Sequence, residues 1–203
     1  MHAEEQDRPD VKDRRKLWFA RMLDFDSTKL VFVDETAVTT SMARRHGRCK
    51  RGRRLRAGVP HGHRKTLTTV GAIRSDRFLA QETIDGAMNT ERFEAWIRRS
   101  LLPNLQPGDV VVMDNVSFHK ADGVRELIKS AGATLEFLPP YSPDMNPIEK
   151  AFSKLKAFLR KTAARTVGTL CAVLQTCHTL FSEQHCTNYF SACGYEEFEV
   201  DTV

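Results

Sequence analysis

Long apolar runs are missing from this chain of 203 residues. None reaches the roughly 18 consecutive apolar residues that a membrane-spanning helix needs, so that class is excluded. The N-terminus, Met1-His2-Ala3-Glu4-Glu5, lacks the basic start and apolar stretch of a secretory signal, which argues against export and for the cytoplasm. Cysteine is scarce and odd in number, five in all, with no C-x-x-C pair. That argues against a disulfide framework, and a reducing compartment fits better. Cys171, Cys177, Cys186 and Cys193 do cluster near His178 and His185. Their gaps along the chain are wider than zinc-ligand pairs use, so ordinary thiols are the simpler reading. Internal repeats and low-complexity tracts are also absent. What remains is ordinary globular composition, 41% hydrophobic and 28% charged, which excludes wholesale disorder.

Acidic residues are missing from one region in particular. None occurs between Thr36 and Ser75, where 11 Lys and Arg stand. Eight of these crowd into one short segment: Arg44, Arg45, Arg48, Lys50, Arg51, Arg53, Arg54 and Arg56. The net charge of +5 is therefore local, since the rest of the chain carries 20 basic against 26 acidic side chains. A second acid-free stretch runs from Lys150 to Ser182 and holds Lys150, Lys154, Lys156, Arg160, Lys161 and Arg165. Scattered charge only keeps a surface solvated. Cationic clustering this dense is the footprint of a polyanion, usually nucleic acid.

The order of elements predicts one α/β domain. Leu30–Val33 reads as a buried strand ending at Asp34, and the basic stretch after it, punctuated by glycines, as a loop or ragged hairpin. Lys65–Arg74 and Phe78–Ile84 flank a Ser75-Asp76-Arg77 turn and read as a hairpin. Asn89 caps a helix carrying Phe93, Trp96, Ile97 and Leu101. Val110–Met113 is a second buried strand, ending at Asp114. Val124, Leu127, Ile128 and Ala131 mark a helix that Gly132 ends, and Leu135–Leu138 is a third strand. A helix starts at Pro147, and another covers about Val167 to Phe181. The expected body spans 29–195, after a polar segment 1–28 and before a tail 196–203. Its sheet is mixed, antiparallel early and parallel later.

Three acidic residues stand at positions where open α/β sheets build sites: Asp34, Asp114 and Glu149. Strands that are parallel neighbours would aim both aspartates into one crevice. Carboxylates held together repel, and hard divalent cations with oxygen ligands, Mg²⁺ or Mn²⁺, remove that cost. Two such ions activate a water or hydroxyl and stabilise the oxygen leaving a phosphodiester. Each residue alone also has a plainer reading. The aspartates suit turns after strands, and Asn146-Pro147-Ile148-Glu149 suits a helix start with Asn146 as N-cap and Glu149 as capping-box partner.

Longer strings add specificity. Val31-Phe32-Val33-Asp34-Glu35-Thr36, Val112-Met113-Asp114-Asn115 with His119-Lys120, and Pro139-Pro140-Tyr141-Ser142-Pro143-Asp144-Met145-Asn146-Pro147-Ile148-Glu149 resemble the DDE transposases. The likeness is narrower to the bacterial insertion-sequence branch of the mariner superfamily, the six-thirty family. The separation of Asp114 from Glu149 along the chain is the Asp-to-Glu spacing typical of that branch. Pro60-His61-Gly62-His63-Arg64-Lys65-Thr66 also resembles it. The resemblance implies an RNase H-like fold, a mixed sheet flanked by helices. It implies a metal-binding catalytic triad of Asp34, Asp114 and Glu149 holding two Mg²⁺ ions, with Mn²⁺ as substitute. It implies cleavage of double-stranded DNA at transposon ends and transfer of the freed 3′-hydroxyl to a target. His61, His63, Lys65, Asn115 and His119 join the basic residues as DNA-contacting or supporting groups. A homodimer on DNA is implied too, since two ends must be joined. Relatives carry helix-turn-helix modules before the catalytic domain. The segment preceding Asp34 is too short for one, so a separately encoded partner is expected. A non-catalytic DNA-binding remnant or regulator, and a stand-alone nuclease of the same fold, are the other readings left open.

Overall fold

The computed structural model describes residues 4–195. Five strands form one sheet: β1 (Leu30–Thr39), β2 (Thr66–Ile73), β3 (Phe78–Asp85), β4 (Val110–Met113) and β5 (Thr134–Phe137). Their spatial order is β3-β2-β1-β4-β5. The first three pair antiparallel, whereas β1, β4 and β5 pair parallel. The expected mixed sheet is thus present, and β1 and β4 are indeed parallel neighbours.

Among the described residues six α-helices surround it: α1 (Pro9–Met22), α2 (Thr90–Trp96), α3 (Asp122–Ser130), α4 (Pro147–Thr162), α5 (Val167–Gln175) and α6 (Glu183–Ser191). Successive strand residues point to opposite faces, and here both faces are covered. Leu30 and Phe32 pack with Phe152, Leu155 and Leu159 of α4 and Phe190 of α6. Val31 and Val33 pack with Phe93 and Trp96 of α2 and Ile128 of α3. That double burial is why the strand cores read as unbroken apolar runs. Asn89 caps α2 as expected, its side chain accepting from the Arg92 N–H. Gly132 ends α3 at φ 72°, a left-handed turn.

Three features depart from expectation. First, β1 does not stop at Asp34 but continues through to Thr39. Its parallel pairing ends at Phe32↔Val112, yet β2 keeps pairing from Asp34↔Gly71 to Thr39↔Thr66. Backbone pairing with β2 thus carries the strand past its last continuous apolar residue. Second, the helical stretch expected over Val167 to Phe181 breaks after Gln175, and a 3₁₀ turn covers Cys177–Leu180. Helix α6 follows, unexpected because it buries only Cys186 and Phe190, too sparse for a periodic signal. Third, the polar N-terminal segment, in which Leu17, Phe19, Met22 and Leu23 predict only a short helical patch, carries the longer helix α1. It docks through buried Trp18, whose indole N–H donates to the Tyr195 hydroxyl at 3.0 Å. The expected tail 196–203 lies outside the described residues. Among those described, no helix is long and apolar enough to cross a membrane.

At the end of the sheet where β4 begins, Arg74 and Asp109 form a buried pair, 5% and 0% exposed. Arg74 also donates to the carbonyls of Asn104 (3.2 Å) and Thr28 (3.4 Å). This clamp ties the β2–β3 turn to the entry of β4, at the opposite end from Asp114.

Candidate functional site

Asp34 lies two residues beyond the last parallel pair, Phe32↔Val112, and Asp114 lies two residues beyond Val112. The even-numbered positions of β1 face α4, the helix that opens with Glu149 in its first turn. These rules bring all three carboxylates to one cavity of about 380 Å³. Asn115, Asn146 and the turn Leu138–Pro143 complete its lining. Among the described residues, no three His, Cys, Asp or Glu side chains are closed onto a single point as a finished metal centre. The carboxylates therefore border the cavity without meeting.

Their electrostatics are nonetheless coupled. Burial first, then the charges of Glu149 and Glu35, push the Asp34 carboxyl up to about 8. A carboxyl in that state resists ionisation until a positive charge arrives. The donors are hard oxygens, and the Asn146 Oδ1 is buried with no hydrogen-bond partner. In chemistry the residues fit a hard divalent cation.

Asn146 corrects one expectation. It sits at the N-cap position of α4 but its side chain makes no capping bond. Instead its Nδ2 donates to Asp34 Oδ2 at 3.0 Å, while the Glu35 N–H donates to Asp34 Oδ1 at 2.7 Å. With Asn146 turned to Asp34, there is no reciprocal capping box for Glu149 to serve. Asn146→Ala is therefore expected to leave helix stability nearly unchanged while lowering metal-dependent activity by ~10- to 100-fold, the scale of groups that orient metal ligands. Thermal unfolding and cleavage rates on the same preparation check this. A loss of stability with unchanged activity would return Asn146 to a capping role.

Asp114 is held from the other side. His119 is wholly buried. Its Nδ1 lies 2.7 Å from Asp114 Oδ1 and its Nε2 lies 3.1 Å from Glu35 Oε1. Burial alone would lower the imidazole, but the hydrogen bonds to the two carboxylates outweigh it and hold it up to about 9. Burial opposes ionisation of Asp114 as well. The His119 and Val116 hydrogen bonds prevail and keep its carboxyl below the usual range. His119 is thus the brace between β1 and the exit of β4. Glu35 and Asn146 were not read as site residues from sequence. The available signals were their places beside Asp34 and inside the proline-rich string.

The remaining sequence candidates divide. Arg44, Arg45, Arg48, Lys50, Arg51, Arg53, Arg54, Arg56, His61, His63 and Lys65 are all exposed, on the long arm joining β1 to β2. The arm is anchored at its base, where Arg165 donates to the Met42 carbonyl at 2.6 Å and Thr40 N–H to the Lys65 carbonyl at 3.1 Å. Asn115 is turned inward and donates to the Leu138 carbonyl, joining the exits of β4 and β5. Lys150 is half-buried on α4 beside Glu149. Lys154 is engaged within the fold, its ammonium 2.7 Å from the Leu180 carbonyl and 2.8 Å from His185 Nε2. Burial pushes the thiols of Cys177, Cys186 and Cys193 up to about 11, which keeps them protonated. A larger cavity, about 650 Å³, lies between β3 and α5. Its one carboxylate, Glu82, is already paired with Arg99.

Comparison with known proteins places this geometry. Solved structures of the Mos1 transposase share the fold. The Mos1 paired-end complex with left transposon end superposes with TM-score 0.74 at 14% identity, covering 95% of this chain and 60% of that one. The isolated catalytic domain of Mos1 mariner transposase gives TM-score 0.70 at 13% identity, covering 95% and 91%. The same domain with Raltegravir and Mg gives 0.70 at 14% identity, covering 95% and 92%. The chain thus spans about 60% of the length of the full transposase it resembles. No curated protein matches it. The five-stranded mixed sheet flanked by helices is the RNase H-like fold of that catalytic domain. A family model described as DDE superfamily endonuclease matches residues 29–171, from the first residues of β1 to α5, with Asp34, Asp114 and Glu149 all inside. By that match the chain belongs to the DDE superfamily of endonucleases.

Proposed function

We propose that this chain is the catalytic domain of a transposase, cutting DNA and joining the freed 3′-hydroxyl to a target in a reaction dependent on Mg²⁺ or Mn²⁺. The observation that carries the reading is the convergence of Asp34, Asp114 and Glu149 on one cavity at the exits of two parallel strands. The chain separation of Asp114 and Glu149 and the Pro139–Glu149 string support its narrower placement in the six-thirty branch of bacterial insertion sequences.

In this reading Asp34, Asp114 and Glu149 hold two divalent ions. Bound there, such ions supply a nucleophilic oxygen at neutral pH and stabilise the leaving oxygen of the phosphodiester. The chain does the rest. Asn146 and the Glu35 N–H orient Asp34. His119 fixes Asp114. The arm from Arg44 to Arg56 grips duplex phosphates. A homodimer on DNA and a helix-turn-helix partner for end recognition belong to the same proposal.

The test is a cleavage and strand-transfer assay on intact and pre-nicked duplexes. Mg²⁺ or Mn²⁺ should give cut and joined products, and EDTA should abolish both. Cutting without joining would reduce the reading to a nuclease. Salt-sensitive DNA binding with no activity under either metal would overturn it. The arm makes a separate prediction. Replacing Arg51, Arg53 and Arg54 together by alanine should weaken DNA binding and flatten the plot of log affinity against log salt by about 3, close to one unit for each phosphate no longer neutralised. An unchanged slope would take the arm off the DNA.

A further inference from the structure

The proline-rich turn at the cavity displays one large side chain to solvent. Tyr141 is 47% exposed and lines the cavity together with Asp34, Asp114 and Glu149. Its backbone is left-handed, φ 55°, a conformation that residues other than glycine adopt rarely and at a cost. The turn is held there from several sides. Gln6 donates to the Tyr141 carbonyl at 2.6 Å. Arg15 donates to Ser142 Oγ at 2.8 Å and pairs with both oxygens of Asp144. The Tyr195 hydroxyl donates to the Met145 carbonyl at 2.9 Å. Yet among the described residues no aromatic ring packs on Tyr141 and no side chain bonds its hydroxyl. An over-determined turn thus holds a strained residue whose ring, among the described residues, meets the fold only through the nearby charge of Arg8.

What lies beside it suggests the occupant. A second groove, about 200 Å³, continues from the cavity through Asn115, Leu138, Pro139 and Pro140, and is bordered by Arg14 and Arg21. Arg14 is exposed. Arg21 is already paired with Glu136, so a polyanionic strand leaving the cavity along this groove would meet Arg14.

We propose that the Tyr141 ring is the stacking platform for the nucleobase adjoining the scissile phosphate, with the flanking strand leaving toward Arg14. The proposal rests on the phosphodiester reading above. Every base has a face that stacks on an aromatic ring, so the platform is tolerant of sequence. A base is free to stack there only where the duplex is nicked or melted, which is where cutting occurs. Because the turn is already rigid, little ordering cost falls on the binding step.

The probe is a nicked duplex carrying 2-aminopurine at the nucleotide next to the nick, bound in EDTA so that nothing is cut. On the wild-type protein emission at that position should stay quenched. In Tyr141→Ala it should rise several-fold with binding retained, and Tyr141→Phe should restore the quench. With Mg²⁺ added, Tyr141→Ala should cleave ~10- to 100-fold more slowly than wild type, and Tyr141→Phe should recover most of that loss. Tyr141→Gly should melt within a few degrees of wild type, because relief of strain offsets the entropy of the added glycine. A purely structural tyrosine would not spare stability in this way. Identical emission from wild type and Tyr141→Ala at every position flanking the nick overturns the proposal, as does failure of Tyr141→Phe to restore it. Absence of metal-dependent cleavage by the wild type overturns the transposase reading instead, since the emission measurement needs no turnover.

Discussion

Asp34→Asn and Glu149→Gln are each expected to lower metal-dependent cleavage by at least ~10³-fold, corresponding to several kcal/mol of lost charge stabilisation at the reacting phosphate. Each amide keeps the shape of the side chain it replaces and cannot supply the negative charge that a bound cation requires. DNA binding should persist, because the cationic arm lies outside the cavity. Stability should not fall. In the absence of cation, burial and the neighbouring carboxylates already disfavour the charged form of Asp34. A neutral amide there removes that repulsion, so the Asp34→Asn protein should melt at or above the wild-type temperature without metal. It should also gain less from added Mg²⁺ than the wild type does. Loss of activity accompanied by unfolding would indicate a structural carboxylate. Activity retained within tenfold in either variant would remove that residue from the triad. Asp114→Asn carries an additional consequence, because Asp114 also accepts from His119. It should disturb the Glu35–His119 brace and so affect stability as well as turnover.

Arg74→Ala is expected to cost about 3–5 kcal/mol of folding stability, the scale for stripping one partner from a buried ion pair. For a domain of this size that is a drop of roughly 6–20 °C in melting temperature. The cause is what remains. Asp109 is fully buried and would be left with only the Gln106 N–H, at 2.6 Å, as a partner. The carbonyls of Asn104 and Thr28 would lose their donor too. The pair is not itself an optimal solution, since Arg74 Nε is buried without a partner. Arg74→Met combined with Asp109→Leu should therefore recover a large part of the loss, as apolar replacements of buried ion pairs do. Calorimetry of the two single variants and the double variant measures the coupling. Additive losses would show that the two residues act independently. Because the clamp is at the opposite end of the sheet from Asp114, the folded fraction of each variant should cleave at the wild-type rate.

Much of this was legible in the chain itself. The unbroken runs Leu30–Val33 and Val110–Met113 announced strands covered on both faces, because only double burial makes every residue apolar. The acid-free stretch announced an exposed cationic arm, since so many like charges cannot be buried. Asp34, Asp114 and Glu149 were visible as acidic residues at the ends of apolar segments, and the proline-rich string tied them to a family.

Other features depend on partners distant in sequence. Asp34 looked like a strand terminus because the unbroken apolar run stops there, but β2 pairs with the backbone of β1 through Thr39, and backbone hydrogen bonds leave no mark on side-chain pattern. Asn146 looked like a helix cap because its neighbours favour one. Its amide instead meets Asp34, far away along the chain. His119 stood in the sequence only as a DNA-contacting or supporting group, and its contact with both Glu35 and Asp114 came from the fold. Composition and order thus determined the fold class, the charge of the arm and which three carboxylates to propose as a site. Tertiary structure alone decided how those carboxylates are oriented and charged, because orientation and ionisation depend on burial and on hydrogen bonds that only the folded chain assembles.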